Sequence, residues 1–183
     1  MKAIVLLGSR NPKGQTARAA EAFAQGMSAV NASCESFFLP TLKIERCRQC
    51  DENGWGSCRE KGRCVVEDDF AGIVEKIRAA DAAVFATPVY FSDLSESMKA
   101  FLDRLRRIAQ HHAGKAGITG KAAIGICVAG GGGGGSPLCM FLLERTLSTC
   151  GFDVFDMVPA RRQNLDRKAE VLKLTGRQFG AGA

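Results

Sequence analysis

The sequence predicts an α/β protein built on a doubly wound parallel sheet with helices on both faces. Three observations carry that expectation. Five short, almost continuous apolar stretches read as buried strands, helix-periodic segments separate them, and glycine-, proline- or hydroxyl-rich loops follow three of the strands. At 183 residues the chain is long enough to bury a core without staples. One domain over 1–183 is expected, with a cysteine-rich insertion loop at about 43–66.

The first strand is the apolar run AIVLL at 3–7, ended by Gly8. A polar loop from Ser9 to Gln15 leads to Thr16, which can cap an alanine-rich helix reaching about Met27. The second strand lies within Cys34–Leu39 and is stopped by Pro40. The cysteine-rich segment then reads as a long loop, its glycines at 54, 56 and 62 opposing regular structure. Asp68 or Asp69 caps a helix to about Ala79, with Phe70, Ile73, Val74 and Ile77 as its apolar face. Ala82–Ala86 is the third strand, terminated by Thr87–Pro88.

A helix beginning near Ser95 runs through Arg107, with Met98, Phe101, Leu102 and Leu105 at helical spacing. The fourth strand, Ala122–Val128, leads into six consecutive glycines, Gly130 to Gly135. Pro137 suits the first turn of a helix ending near Cys150, and Gly151 suits its C-cap. Phe152–Val158 reads as a strand near the sheet edge, and the tail from Asp166 as a helix stopping at Gly176.

Open parallel sheets bind ligands at the carboxyl ends of their strands. Loops 8–16, 87–94 and 129–136 all belong there. GSRNPKGQT offers the Ser9 and Thr16 hydroxyls, the Asn11 amide, the cations Arg10 and Lys13 and the free amides of a helix start. That combination suits a phosphate, although an ordinary strand–helix turn has similar residues. TPVYF sets Val89, Tyr90 and Phe91 where a loop should be polar, which suits a planar ring or a subunit contact. The glycine run lets backbone amides approach a ligand closely, or forms a mobile surface loop.

Four of the eight cysteines, Cys47, Cys50, Cys58 and Cys64, fall in CRQCDENGWGSCREKGRC, with two, seven and five residues between them. A Cys-x-x-Cys step puts two sulfurs on one tight turn, suited to a metal, an iron–sulfur cluster or a reversible disulfide. Cys34, Cys127, Cys139 and Cys150 lie in apolar surroundings and read as small buried hydrophobes. His111 and His112 are adjacent in a polar segment after a helix, a placement for a surface loop.

At 46 % hydrophobic and 24 % charged, the composition is that of a globular protein. The net charge of +6 is scattered among acidic residues and carries no nucleic-acid recognition motif, so an anionic nucleotide or an acidic protein is the expected partner. No apolar run approaches the roughly 20 residues of a membrane span. Met1 leads straight into KAIVLLG without a signal-peptide cleavage region, and a reducing cytoplasm is expected for the cysteines.

GSRNPKGQT, the cysteine-rich segment closing in GRCVVEDDF, and ADAAVFATPVYFSDLSESMKAFLDR together resemble the NADPH-dependent FMN reductase family, more narrowly its iron–sulfur flavoprotein-related branch. The likeness covers most of residues 1–136; the rest matches as general architecture. It implies a flavodoxin-like three-layer fold with five parallel strands in the order 2-1-3-4-5, bound FMN, and a homodimer or homotetramer. By position, Ser9, Arg10, Asn11, Gly14, Gln15 and Thr16 would surround the FMN phosphate. Pro88, Val89, Tyr90 and Phe91 would meet the isoalloxazine, and Ala129, Gly130, Gly131 and Gly132 its other edge. Lys99, Phe101, Asp103 and Arg104 match a block that serves packing and subunit contacts.

Iron–sulfur members place two residues between their second and third cysteines. Here that third position is Asn53, and Cys58 comes only after seven intervening residues. Cys47, Cys50, Cys58 and Cys64 are therefore candidate [4Fe-4S] ligands on a lengthened loop, a four-sulfur zinc site, or thiols in a lid beside the flavin. The implied chemistry is hydride transfer from NAD(P)H to FMN, needing no general base, then electron passage to a quinone, flavin, azo or protein acceptor. The alternative is an iron–sulfur flavoprotein or an FMN electron carrier that exchanges electrons with a ferredoxin-like acidic partner.

Overall fold

In a computed structural model describing residues 1–182, the strands β1 (Lys2–Leu7), β2 (Ser33–Phe38), β3 (Ala82–Tyr90), β5 (Ala122–Ala129) and β6 (Asp153–Arg161) form a parallel sheet. Its order is β2-β1-β3-β5-β6, the expected 2-1-3-4-5 arrangement of five parallel strands. A sixth, two-residue strand, β4 (Asp93–Leu94), folds back antiparallel on Val89 and Tyr90. The central strands are apolar on both sides: Ala3 to Leu6 and Ala82 to Ala86 are fully buried. That is what a sheet covered on both faces requires.

One face carries α3 (Asp69–Ala79), α4 (Glu96–Ala109) and α5 (Ser136–Cys150). Phe70, Ile77, Phe101, Leu105, Leu143 and Leu147 pack there against Ile4, Leu6 and Phe85. The other face carries α1 (Gln15–Ser28) and α6 (Leu165–Gly180), whose Phe23, Met27, Leu172 and Phe179 cover Val5, Val84 and Ile126. The flavodoxin-like layering follows from alternation along the strands: odd and even residues of β1 serve opposite cores.

Local signals place several boundaries where the sequence puts them. The Asp68 carboxylate accepts from the Phe70 amide at 3.1 Å and caps α3, and the Ser95 hydroxyl accepts from Met98 at 3.4 Å to cap α4. Pro137 lies in the first turn of α5, and Gly151 closes it with φ +94°.

Four expectations are corrected. Thr16 does not cap α1; the helix starts after Gly14 with no side-chain cap, and Thr16 is buried within its first turn. β3 does not stop at Thr87–Pro88. The Ala86 carbonyl accepts from Gly8 at 2.8 Å, so Pro88, two residues on, faces the same side beyond the end of β1, where no partner needs its missing N–H. The cysteine-rich segment holds one regular turn, α2 (Cys58–Lys61), closed by Gly62 at φ +61°. Finally, α6 runs through Gly176 to Gly180. Gly176 packs against the Phe23 carbonyl of α1, so this glycine serves a close helix crossing rather than a stop.

Candidate functional site

The carboxyl ends of β1, β3 and β5 open into one cavity of ≈ 720 Å³. Its first wall is the β1–α1 loop, through Ser9, Asn11, Gly14, Gln15 and Thr16. The Asn11 side chain accepts from the Lys13 amide at 2.9 Å, and its carbonyl accepts from Gly14 at 3.0 Å, which curls the chain into the helix start. Because α1 has no side-chain cap and no acidic residue in its first turn, its leading amides are left for an anion. The Gln15 Oε1 atom is buried there without a hydrogen-bond partner, an acceptor held ready for a donor from outside the chain.

The second wall is the β3–β4 hairpin, through Pro88, Val89, Tyr90 and Phe91. Its two turn residues, Phe91 (φ 48°) and Ser92 (φ 69°), are both left-handed. Two-residue hairpins need that conformation, but asparagine and glycine normally supply it. A bulky Phe91 at positive φ, fully exposed, is backbone strain of about 1–3 kcal/mol held at the cavity rim. The third wall is Val128 to Gly134. The Gly133 amide donates to the Gly130 carbonyl at 2.8 Å, and the Gln163 side chain donates to the Gly131 carbonyl at 3.3 Å. A side chain at Gly130, Gly131, Gly132 or Gly134 would meet nothing of the protein, so that space is left to the cavity.

Ser9, Asn11, Gly14, Gln15, Thr16, Pro88 to Phe91 and Ala129 to Gly132 all line this cavity, whereas the two loop cations, Arg10 and Lys13, do not. The Arg10 guanidinium turns toward the Pro40 carbonyl, 3.5 Å away. Val128, Gly133 and Gly134 join the wall beyond the expected set. A hydroxyl group of residues that sequence reasoning missed braces the strand ends. Buried Thr87 accepts from the Ser95 amide at 3.1 Å and donates to the Pro88 carbonyl at 2.9 Å, while Ser97 donates to the Gly8 carbonyl at 3.3 Å. Gly8 is required beneath it, because a Cβ there would collide with the Ser95 hydroxyl. Three hydroxyl residues at strand ends are a weak signal in sequence, since solvated turns look the same.

The walls suit FMN chemically. Uncapped amides and small polar groups would suit its phosphate, the unpartnered Gln15 oxygen could accept from hydroxyl or imide donors, and Tyr90 with Val89 would suit a flat ring.

The four clustered cysteines line a second cavity, on the outer face of α4, together with Arg48, Trp55, Arg104 and Arg107. The insertion that holds them is tied down by two arginines of α4. Arg104 donates to Asp68 at 2.6 and 3.0 Å and to the Glu45 carbonyl at 3.0 Å, in a pair whose side chains are 1 % and 0 % exposed. Arg107 donates to the Gly54 carbonyl at 2.6 Å and lies 4.8 Å from the centre of the Trp55 ring. Burial raises the Cys58 thiol, Arg107 opposes it, and the thiol donates to the Trp55 carbonyl.

All eight cysteines are free thiols. Among the described residues no three His, Cys, Asp or Glu side chains converge as ligands of one ion. The cavity that the clustered cysteines line is ≈ 20 Å³, room for about one water. The donor set therefore fits a thiolate-bound centre in kind, with cations beside it, while a cube would require the loop to open.

The remaining cysteines follow expectation for Cys127, Cys139 and Cys150, which are buried; burial pushes Cys150 up to about 12. Cys34 is half-buried in β2 and pushed up to about 11 for the same reason. His111 packs edge-on against Trp55, with ring centres 4.9 Å apart, below the C-terminal end of α4. No helix among the described residues is long and apolar enough to cross a membrane.

Residues 1–151 match the family described as NADPH-dependent FMN reductase. An iron–sulfur flavoprotein of Methanocaldococcus jannaschii is 30% identical over 131 residues, which are 72% of this chain and 65% of that protein. An iron–sulfur flavoprotein of Archaeoglobus fulgidus is 30% identical over 105 residues, 57% of this chain and 46% of that protein. The matches thus span less than two thirds of these curated relatives. Among solved structures, an NAD(P)H:quinone oxidoreductase from Methanothermobacter marburgensis superposes with a TM-score of 0.71 at 22% identity, covering 98% of this chain and 94% of that one, a likeness of fold. With the sheet order, the uncapped first helix and the matched span in agreement, the chain belongs to the NADPH-dependent FMN reductase family.

Proposed function

We propose that the protein is an FMN-dependent NAD(P)H oxidoreductase that passes electrons to a quinone, flavin, azo compound or protein. The observation that carries this reading is the ≈ 720 Å³ cavity at the strand ends, with phosphate-type, ring-type and glycine walls facing one another. When bound, FMN takes hydride from a dihydronicotinamide and releases electrons singly or in pairs. The protein's part is orientation. The amides of Gly14, Gln15 and Thr16 hold the phosphate, Gln15 Oε1 accepts a hydrogen bond, and Pro88 to Phe91 set the plane of the ring. Gly130 to Gly132 let backbone amides approach the ring edge. Arg10 stays outside the cavity wall and serves the phosphate through its charge. No side chain is asked to move a proton from substrate.

The test is anaerobic mixing of the FMN-loaded protein with NADPH or NADH. Bleaching of the visible flavin absorption by at least one of them is expected. A flavin that neither nicotinamide reduces would leave only the electron-carrier reading.

A second reading adds an iron–sulfur centre on Cys47, Cys50, Cys58 and Cys64, favoured by these four cysteines lining one cavity with Arg48, Arg104 and Arg107. Cluster ligation is set by sulfur positions rather than loop length, and Gly54 and Gly56 give the bridge freedom to open. A ferredoxin-like acidic partner then suits the basic surface. Anaerobic reconstitution with iron and sulfide analysis decides it: about four irons per chain are expected, and fewer than about two would exclude the four-iron centre. A cytoplasmic location and a homodimer or homotetramer complete the proposal, the latter resting on the exposed Tyr90 and Phe91 beside the cavity.

A further inference from the structure

Beside the candidate flavin cavity lies a groove of ≈ 460 Å³ between the first turn of α5, the end of β6 and the start of α6. Its walls are apolar. Pro137 and Met140 face Met157 and Pro159, and no acidic side chain lines it. Arg161, Asn164 and Lys168 stand among its lining residues. Among the described residues neither Arg161 nor Lys168 has a carboxylate within ion-pair distance; the ion pairs on α6 join Asp166 to Arg18 and Lys173 to Glu170. Two unpaired cations at a slot of proline and methionine are an unusual use of surface. Methionines adapt to a flat ring, and cations without partners await an anion.

The groove also shares a wall with the flavin cavity. A Cβ on Gly133, which lines that cavity, would come within 3.0 Å of the Arg161 side chain and 2.9 Å of the Gln163 amide. Gln163 in turn holds the Gly131 carbonyl. A ligand lying across the glycine loop would reach from one space into the other without leaving the protein. The first turn of α5, through Ser136 and Pro137, also lines the groove, and its dipole adds to the attraction for an anion.

We propose that this groove seats the adenosine 2′-phosphate end of the nucleotide donor. The adenine lies between the α5 and β6 side chains, and Arg161 and Lys168 hold the 2′-phosphate. This rests on the dinucleotide-dependent reading above and makes the two cations the residues that select NADPH over NADH. A phosphomonoester carries about −1.5 to −2 charges near neutral pH, which the 2′-hydroxyl of NADH does not. Arg offers a fork for two phosphate oxygens and Lys a point charge.

The experiment compares wild type with Lys168→Met and Arg161→Gln, each loaded with FMN and checked for unchanged flavin content. The ratio of kcat/KM for NADPH to that for NADH is expected to fall about tenfold in each variant, which corresponds to about 1.4 kcal/mol, mostly through KM. An unchanged ratio would overturn the assignment. Binding of adenosine 2′,5′-bisphosphate and adenosine 5′-monophosphate, measured by calorimetry, separates this proposal from the one it rests on. If neither dinucleotide reduces the flavin but the bisphosphate binds wild type more tightly than the monophosphate and loses that margin in Lys168→Met, the groove assignment stands alone. Equal binding of the two adenosines to wild type would sink it even in an active enzyme.

Discussion

Asp68 shows how much one side chain can organise. Its carboxylate accepts from the Phe70 amide, the Glu45 amide and both Arg104 nitrogens, so it caps α3, anchors the start of the cysteine-rich insertion and neutralises a buried guanidinium. Burial alone would raise its pKa, but the hydrogen bonds from Arg104 and the Glu45 amide outweigh it and hold the carboxyl below the usual aspartate range. Arg104 has no other carboxylate and rests on the Phe70 ring, 4.1 Å from its centre. Asp68→Asn would leave that cation buried and unpaired, and a loss of about 3–5 kcal/mol in urea unfolding is expected at neutral pH. A folded-state pKa below the unfolded value of about 3.9 means the stabilisation is complete above that pH and fades as pH falls through the folded value. The gap between wild type and variant should therefore be constant from pH 7 to about pH 5 and close below about pH 4. A gap of under 1 kcal/mol at pH 7 would mean that the pair is solvated.

At the scale of elements, the α1–α6 pair is set by two glycines. A Cβ on Gly26 would collide with the Lys173 carbonyl, and one on Gly176 with the Phe23 carbonyl, so the two backbones meet at bare positions. Gly176→Ala is expected to cost about 1–3 kcal/mol by overpacking, against the slight gain that alanine brings to an exposed helix. Thermal unfolding reads the sign directly. A raised midpoint would show that the helices do not approach this closely.

The same glycine explains what sequence could and could not give. Caps at Asp68, Ser95 and Gly151 and the turn at Pro137 are local signals with local causes, and they sit where the pattern puts them. Gly176 reads locally as a stop, yet its cause is the Phe23 carbonyl on a helix at the other end of the sequence. The β3–β4 hairpin was hidden for a like reason. Pro88 suggests an ending, but only the length of β1 shows that its missing N–H is harmless, and nothing in Phe91–Ser92 spells a left-handed turn. The loops of the candidate flavin site were legible because phosphate and ring surfaces need particular residue types. The groove beside them was not, since Met140, Met157 and Lys168 become neighbours only through the crossover of β6.

For the molecule as a whole, the strained hairpin and α5 leave apolar surface on one side of the candidate flavin site. Phe91 is fully exposed, Tyr90 half-exposed, and Leu138 and Phe141 of α5 are 52% and 54% exposed. Hairpin and helix are contiguous: a Cβ on Gly135, at the start of α5, would touch Ser92 of the turn. A patch of aromatic and aliphatic side chains beside a ligand cavity is the kind of surface that another protein surface covers. A second copy covering it would also account for a bulky residue tolerated at positive φ, because burial of a phenyl ring returns about 1.5–3 kcal/mol against the strain. If the chain forms the proposed homo-oligomer through this patch, Phe91→Asp is expected to give a monomer in light scattering and to weaken FMN retention, since Phe91 belongs to both surfaces. Phe91→Gly distinguishes the two roles. It removes the strain as well as the ring, so the isolated chain should gain about 1 kcal/mol or more of stability while still failing to associate. An Asp variant that keeps the wild-type mass would move the subunit contact away from the hairpin and leave Phe91 to the flavin alone.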